Sequence, residues 1–369
     1  MLAALAFSLI LILGAEAKPH PKSQGTAPKW LFKTEGPIFS SPLVDSGVVF
    51  FGSRDKHVYA VTLVTGKLKW KHATNGEVNS SPRVSDGVLY IGSDDHHLYA
   101  LEAHSGKLTW KAKTEASVFA SPVITSGDRV VVSSTDGVVW AMEKATGDQA
   151  WYYRAEGEIY SSPTSSIKGD IFVGSRDKSV HGISSKGVKK WNFETGSHVD
   201  SSPVEVNGVV YVGSRDKNLY ALDAQTGAVK WTFTTLGDIF STPCVQKGVV
   251  YIASADKHVY AVNAKDGSLK WKSEIGGRIF SSPTVAEGAV FVGCEDKYLY
   301  ALDAMTGVMV TKYQTLGYVH STPRLVKGLL LVGSSDSFLY AFPFPPPKDA
   351  LDGVGAKRSE EDPPVLNDL

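Results

Sequence analysis

Along the chain, short apolar runs rich in Val, Ile, Tyr and Phe alternate with turn dipeptides of the Asn-Gly and Thr-Gly kind. Runs of this length suit strands and are too short for helices. The stretch from Ser201 to Trp231, SSPVEVNGVVYVGSRDKNLYALDAQTGAVKW, shows the pattern in full. Ser202–Val206 predicts a first strand and Asn207-Gly208 the turn after it. Val209–Gly213 predicts a second, and Ser214–Lys217 a tight polar connection. Asn218–Asp223 predicts a third, closed by Gln225-Thr226-Gly227, and Ala228–Phe233 a fourth that carries Trp231. Gly takes positive φ without penalty and Asn tolerates it, so these dipeptides reverse the chain. In the third strand Leu219 and Ala221 face one way and Tyr220 and Leu222 the other, which makes both faces apolar. A strand of that kind is buried on both sides, as in a sheet stacked between neighbouring sheets.

The unit recurs. The proline of the Ser-Ser-Pro triplet falls at Pro42, Pro82, Pro122, Pro163, Pro203, Pro243, Pro283 and Pro323. The aspartate after the Gly-Ser pair falls at Asp55, Asp95, Asp136, Asp177, Asp216, Asp256, Asp296 and Asp336. Two markers thus agree on eight copies at a period near 40 residues, the mark of a solenoid, propeller or array. The last copy reaches Phe342 without a fourth strand and runs into Pro343, Pro345, Pro346 and Pro347. An orphan fourth strand stands at the front, Pro28–Thr34, with Trp30 in phase with Trp70, Trp110, Trp151, Trp191, Trp231 and Trp271. Pairing it into the last blade would close a ring and hide two strand edges. The expected fold is therefore all-β: an eight-bladed β-propeller of four-stranded antiparallel blades over residues 28–342, closed by the N-terminal strand.

The repeat unit Gly-Ser-x-Asp-x-x-Leu-Tyr-Ala-Leu-Asp-Ala-x-Thr-Gly-x-x-x-Trp, as in Gly213–Trp231, resembles the pyrroloquinoline-quinone-like (PQQ-like) propeller repeat. The likeness recurs in every copy. It implies a fold shared by quinoprotein alcohol dehydrogenases, which bind the quinone (PQQ) and calcium, and by the bacterial outer-membrane assembly propeller, a binding scaffold. Fold alone does not choose between these activities. The copies here keep an even length with no long inter-blade insertions, and Cys244 and Cys294 are far apart in sequence. No catalytic residue is carried over from the dehydrogenases, and no cofactor is expected; PQQ with calcium is the alternative. The N-terminal lipid-bearing cysteine of the assembly propeller is absent too.

Composition narrows the partners. Lys plus Arg and Asp plus Glu both total 38, so no net field gathers nucleic acid. Met1–Ala17 reads as a secretory signal peptide: Leu2–Leu13 is apolar but shorter than a membrane span, and Ala15-Glu16-Ala17 offers small residues at a cleavage position. An uncleaved anchor is the rival reading. Residues 18–27 form a polar leader, and residues 343–369, rich in proline and charge, are expected to be disordered. The two cysteines suggest separate packed thiols. Asn79-Ser80-Ser81 is a formal glycosylation sequon followed by Pro82, and is expected to be unused.

The aspartate common to all copies sits in a tight connection, where it accepts backbone or hydroxyl hydrogen bonds; a role in chemistry would call for unlike groups. His57, His97 and His258 share one repeat position, with His96 beside His97; His258 lies far around the ring from the other two, and a lone pair at His57 and His97 reads as exposed polar surface rather than a ligand set. Local function belongs where the copies differ. Before each Ser-Ser-Pro stand Phe39, Asn79, Phe119, Tyr160, Asp200, Phe240, Phe280 and His320, and two residues earlier Pro37, Glu77, Ser117, Glu158, His198, Asp238, Arg278 and Tyr318. These positions crowd one mouth of the channel with Arg54, Arg176 and Arg215, a mixture suited to a peptide or protein partner. A solvated rim with no ligand is the plainer alternative. The third copy departs most, with Ser133 for Gly, Gly137 after the aspartate and Trp140 for Tyr. The candidate partner-binding rim is thus Asn79, Trp140, His198, Asp200, Arg278, Tyr318 and His320. The expected protein is a secreted, monomeric, non-catalytic scaffold for a protein partner, with no transmembrane span; a PQQ-dependent oxidoreductase or PQQ-binding protein is the alternative.

Overall fold

The computed structural model describes residues 26–346. The signal peptide, most of the polar leader and the tail beyond residue 346 lie outside the described residues. Eight four-stranded antiparallel sheets follow one another along the chain, and blade 5 shows the pattern: Val204–Val206, Val209–Gly213, Asn218–Asp223 and Val229–Thr234. The first strand is shorter than expected from Ser202–Val206, because Ser202 and Pro203 line the central channel ahead of it. Blade 8 combines Arg324–Val326, Leu329–Gly333 and Phe338–Pro343 with the front strand Trp30–Lys33. Trp30 pairs with Ala341 and Lys33 with Phe338, so the N-terminal strand closes the ring as the sequence pattern implies.

The second and third strands of each blade are buried on both faces, and the clusters they form alternate with the sheets around the ring. One joins Val210 and Val212 of blade 5 to Phe172 and Val180 of blade 4. Another joins Val250 and Ile252 of blade 6 to Leu219 and Ala221 of blade 5. No single centre exists; the core is a cycle of interfaces.

Two further sets of contacts hold neighbouring blades in register. At the outer end, the indole N–H of the fourth-strand Trp donates to a carbonyl of the following blade, as Trp30 to Leu63 at 3.0 Å, Trp70 to Ala103 at 3.0 Å and Trp231 to Ala264 at 3.0 Å. The indole lies flat on the glycine of that blade's last turn. A Cβ on Gly66 would stand 2.5 Å from the Trp30 ring, and Gly66 has φ 65°, so the turn and the close approach both require glycine. At the inner end, Ser41 N donates to Ser81 Oγ (2.8 Å), Ser81 N to Ser121 Oγ (3.0 Å), Ser121 N to Ser162 Oγ (2.9 Å) and Ser162 N to Ser202 Oγ (2.8 Å). Thr322 N to Ser41 Oγ, at 2.9 Å, carries the series across the seam between last and first blade.

Thr311, where the repeat would place Trp, now has a reason. Blade 8 takes its fourth strand from the front of the chain and so has no turn between third and fourth strands on which an indole could lie. Tyr313 takes over: it is fully buried, its hydroxyl donates to Pro343 O at 2.9 Å, and its ring packs on Phe342 at 4.8 Å between centroids. The described chain departs from the expected boundary here. Pro343 belongs to the last strand, facing Leu329, and Phe344 is buried edge-on against Phe291 at 4.8 Å. The proline-rich segment therefore begins inside the ring, because blade 7 offers an apolar wall to cover.

Candidate functional site

The turns that join fourth strand to next first strand, and second strand to third, share one face of the ring. The repeated aspartate fixes this face from within. Asp55 Oδ2 accepts the Glu35 N–H at 3.0 Å and the Tyr59 hydroxyl at 2.7 Å, while Oδ1 accepts the His57 N–H at 3.1 Å. The same tyrosine bond recurs at Asp95–Tyr99 (2.6 Å), Asp216–Tyr220 (2.7 Å), Asp256–Tyr260 (2.7 Å) and Asp336–Tyr340 (2.8 Å). In blade 4, His181 Nε2 replaces the tyrosine, 2.9 Å from Asp177 Oδ2. Burial pushes the Tyr220 phenol up, assisted by Asp216, to about 12. These are turn clamps. The three histidines of one repeat position are equally local: the Nδ1 atoms of His57, His97 and His258 lie 2.8–3.0 Å from the carbonyls of Asp55, Asp95 and Asp256.

Acid should loosen the clamps. Burial pushes the Asp95 carboxyl up, but the Tyr99 hydroxyl, the Asn75 N–H and His97 outweigh it and leave the group below its ordinary value. Asp177 is lowered likewise, burial being outweighed by His181. A folded-state pKa below the unfolded one contributes stability above the unfolded value of about 4 and loses it as pH falls through the folded value. Denaturant midpoints measured from pH 5 down to 2 are expected to fall, and D95N is expected to flatten that slope; an unchanged slope contradicts the assignment.

The mouth itself is a belt of rings and guanidinium groups. Phe240 meets Phe280 at 4.9 Å, Phe280 meets His320 at 5.2 Å, and His320 stacks on Phe39 at 5.2 Å. Across the ring Phe119 and Tyr160 meet at 5.8 Å. Arginines lie over these faces: Arg54 over Phe39 at 4.1 Å, Arg176 over Tyr160 at 3.9 Å, Arg215 over Phe240 at 5.4 Å and Arg278 over Phe280 at 5.2 Å, the geometry of cation–π attraction. Two polar nodes interrupt the rings. At one, Arg54 Nε donates to Asn79 Oδ1 at 2.9 Å and Asn79 Nδ2 to Asp94 Oδ2 at 2.8 Å, with Glu77 3.2 Å from Arg54. Burial raises the Asp94 carboxyl, against the pull of Asn79. At the other, Asp200 is shared by Arg176 at 2.9 Å and Arg215 at 3.8 Å; Arg176 also binds Glu158 at 3.0 Å and Arg215 Asp238 at 3.3 Å. His320 lies 3.4 Å from Glu295; burial lowers its pKa despite that carboxylate.

The structure thus brings Asn79, Asp200, Arg278 and His320 to one mouth, with Tyr318 half-exposed and stacked 6.2 Å from His320. His198 is half-buried there, and its carbonyl accepts the Arg215 N–H at 2.9 Å. Asn79 is buried and its amide donates to Asp94, so the sequon asparagine is not presented at the surface. Trp140 does not belong to the rim. It is buried in the third strand of blade 3 at the tyrosine position, and its indole N–H donates to Ser134 Oγ at 2.9 Å, which in turn bonds Asp136. Its companions are internal too: Ser133 is buried and donates to Ser161 O at 2.7 Å, and Gly137 holds φ 83° at a turn position that lysine fills in other blades, as Lys217 at 73°. The blade 3 departures are an alternative clamp, in which the indole N–H reaches the aspartate through the Ser134 hydroxyl. Sequence reading passed over Asp94 and Glu295, whose signal was the charged residue in place of Arg or Ser beside the repeated aspartate.

These side chains supply flat apolar faces and paired charges. The described residues contain no group of three or more His, Cys, Asp or Glu placed to hold a metal. No carboxylate lines the central cavity, so that cavity offers calcium no side-chain carboxylate.

Fold and mouth together define an eight-bladed propeller of PQQ-like repeats. A family model described as "Beta-alanine-activating enzyme, beta-propeller" matches residues 22–208, about half the chain, and the chain belongs to that family. A second model, described as outer membrane protein assembly factor BamB, matches residues 176–279. Among solved structures, BamB from Moraxella catarrhalis superposes with a TM-score of 0.75 at 18% identity, over 86% of this chain and 100% of that one. The computationally designed Ika8 protein superposes with a TM-score of 0.76 at 15% identity, over 87% and 100%. No curated protein sequence matches the chain.

Proposed function

We propose that this protein is a non-catalytic scaffold that enters the secretory pathway and binds a protein partner through the ringed mouth of the propeller. The belt of Phe240, Phe280, His320 and Phe39, roofed by Arg278 and Arg54, carries the reading. Aromatic and arginine side chains are the residues on which binding energy concentrates. The likeness to the assembly factor supports a binding role without naming the partner. Nucleic acid does not suit a chain of zero net charge. A monomer serves this mode, since one mouth per ring is sufficient.

The experiment compares partner recovery on the intact chain with that on F240A/F280A, and on V64S, whose side chain is exposed on the opposite face. The aromatic pair is expected to weaken binding by about 2 kcal/mol or more, and the Val64 change to leave it intact. Equal recovery on all three overturns the assignment of the mouth. N-terminal sequencing of secreted material tests the leader separately, and is expected to begin after Ala17.

A further inference from the structure

Next to the mouth lies a cavity of about 470 Å³ lined by residues at the inner strand of each blade. The first residue after each repeat proline forms one layer of its wall: Leu43, Arg83, Val123, Thr164, Val204, Cys244, Thr284 and Arg324. Two cations therefore stand in a layer that is otherwise apolar or hydroxylic, on blades 2 and 8, the two neighbours of blade 1. No Asp or Glu lines the cavity. The arginine ion pairs of the described residues belong to Arg54, Arg129, Arg154, Arg176 and Arg215, and Arg83 reaches only its own neighbour Pro82 O, at 3.3 Å. Both arginines keep exposed surface along the channel they line; desolvation, and then the charge of Arg324, lower the Arg83 pKa.

The layer above contributes independently. Oγ of Ser41, Ser81, Ser121, Ser162, Ser202 and Ser282 each accepts a backbone N–H from the preceding blade, and every one of these residues lines the cavity. A hydroxyl whose oxygen already accepts has its proton left to give. The wall thus offers guanidinium forks and hydroxyl protons to the interior, and the side-chain acceptor that anions dislike, a carboxylate, is missing.

We propose that the channel binds a small multivalent oxyanion, clamped between Arg83 and Arg324 and met by the hydroxyl ring. Guanidinium groups bind carboxylate and phosphate oxygens in pairs, and the cavity has the volume of a small-molecule site. This inference is independent of the mouth, and it requires neither a metal nor a quinone.

Calorimetric titration of the full chain with inorganic pyrophosphate, and separately with citrate, tests the proposal. At least one is expected to bind, and the stronger of the two tells phosphate from carboxylate chemistry. R83M or R324M is expected to weaken that binding about tenfold, the equivalent of one charge-assisted bond, with R83K losing less than R83M. Binding of neither probe, or binding indifferent to both methionine variants, overturns the proposal. Should the variants fold poorly, Cys244 reports on the native chain: it lines the cavity, whereas Cys294 is buried. Iodoacetamide labelling of Cys244, read by mass spectrometry, is expected to slow when the bound probe is present. Unchanged labelling at saturating probe places any binding elsewhere and rejects the channel site.

Discussion

Replacing Trp30 with alanine is expected to destabilise the protein by about 3–5 kcal/mol, the usual range for a buried Trp. The change removes the bond to Leu63 O and the ring that lies on Gly66. It also acts where the ring is closed, because the strand Trp30–Lys33 is held mainly by its pairing with Phe338–Ala341. Equivalent indoles such as Trp231 lie in strands anchored on both sides by chain continuity, so W231A should cost less at similar burial. Urea denaturation followed by tryptophan fluorescence and by far-ultraviolet dichroism measures both. Equal losses for W30A and W231A would mean that the seam is no weaker than any other junction.

Tyr313→Ala is expected to come next, at about 3–5 kcal/mol by analogy with other large buried aromatics. Its ring is fully enclosed between blades 7 and 8, and its hydroxyl satisfies Pro343 O. Tyr313→Phe separates the two contributions and should lose about 1 kcal/mol, the net value of one hydrogen bond. Thr311→Trp supplies the control. It restores the repeat's own residue, yet should raise no melting temperature, since blade 8 has no turn glycine to receive the indole. A stabilising Thr311→Trp would refute this account of the substitution.

The fold was legible because its determinants are local and repeated. Asn207-Gly208 and Gln225-Thr226-Gly227 bound the strands, and Asn218–Asp223 is a strand of the same limits in the structure. Ring closure was legible as well, since a strand without a blade and a blade without a strand can only satisfy each other. Trp140 misled because an aromatic substituted for tyrosine reads as a departure, while the both-sided burial of Val138–Glu143 is decided by the neighbouring blades. The mouth was legible as a set of positions but not as pairings: that Asn79 is spent on Arg54 and Asp94 depends on side-chain reach across blades. Arg83 and Arg324 could have been found by the same column-wise reading, applied one residue after each proline instead of before it.

Closure by the front strand also imposes an order of events during synthesis. Trp30–Lys33 leaves the ribosome ahead of every blade and must wait for the last; Thr34 Oγ1 bonds Ser337 O across a sequence separation of 303 residues. Until then the nascent protein is an open arc with an unpaired strand at one end and an unfinished sheet at the other, the edges most prone to pair with a neighbouring chain. Both edges disappear in the same step, so the protein passes from its most adhesive state to its least in a single late docking, and any delay at that step is a delay in the adhesive form.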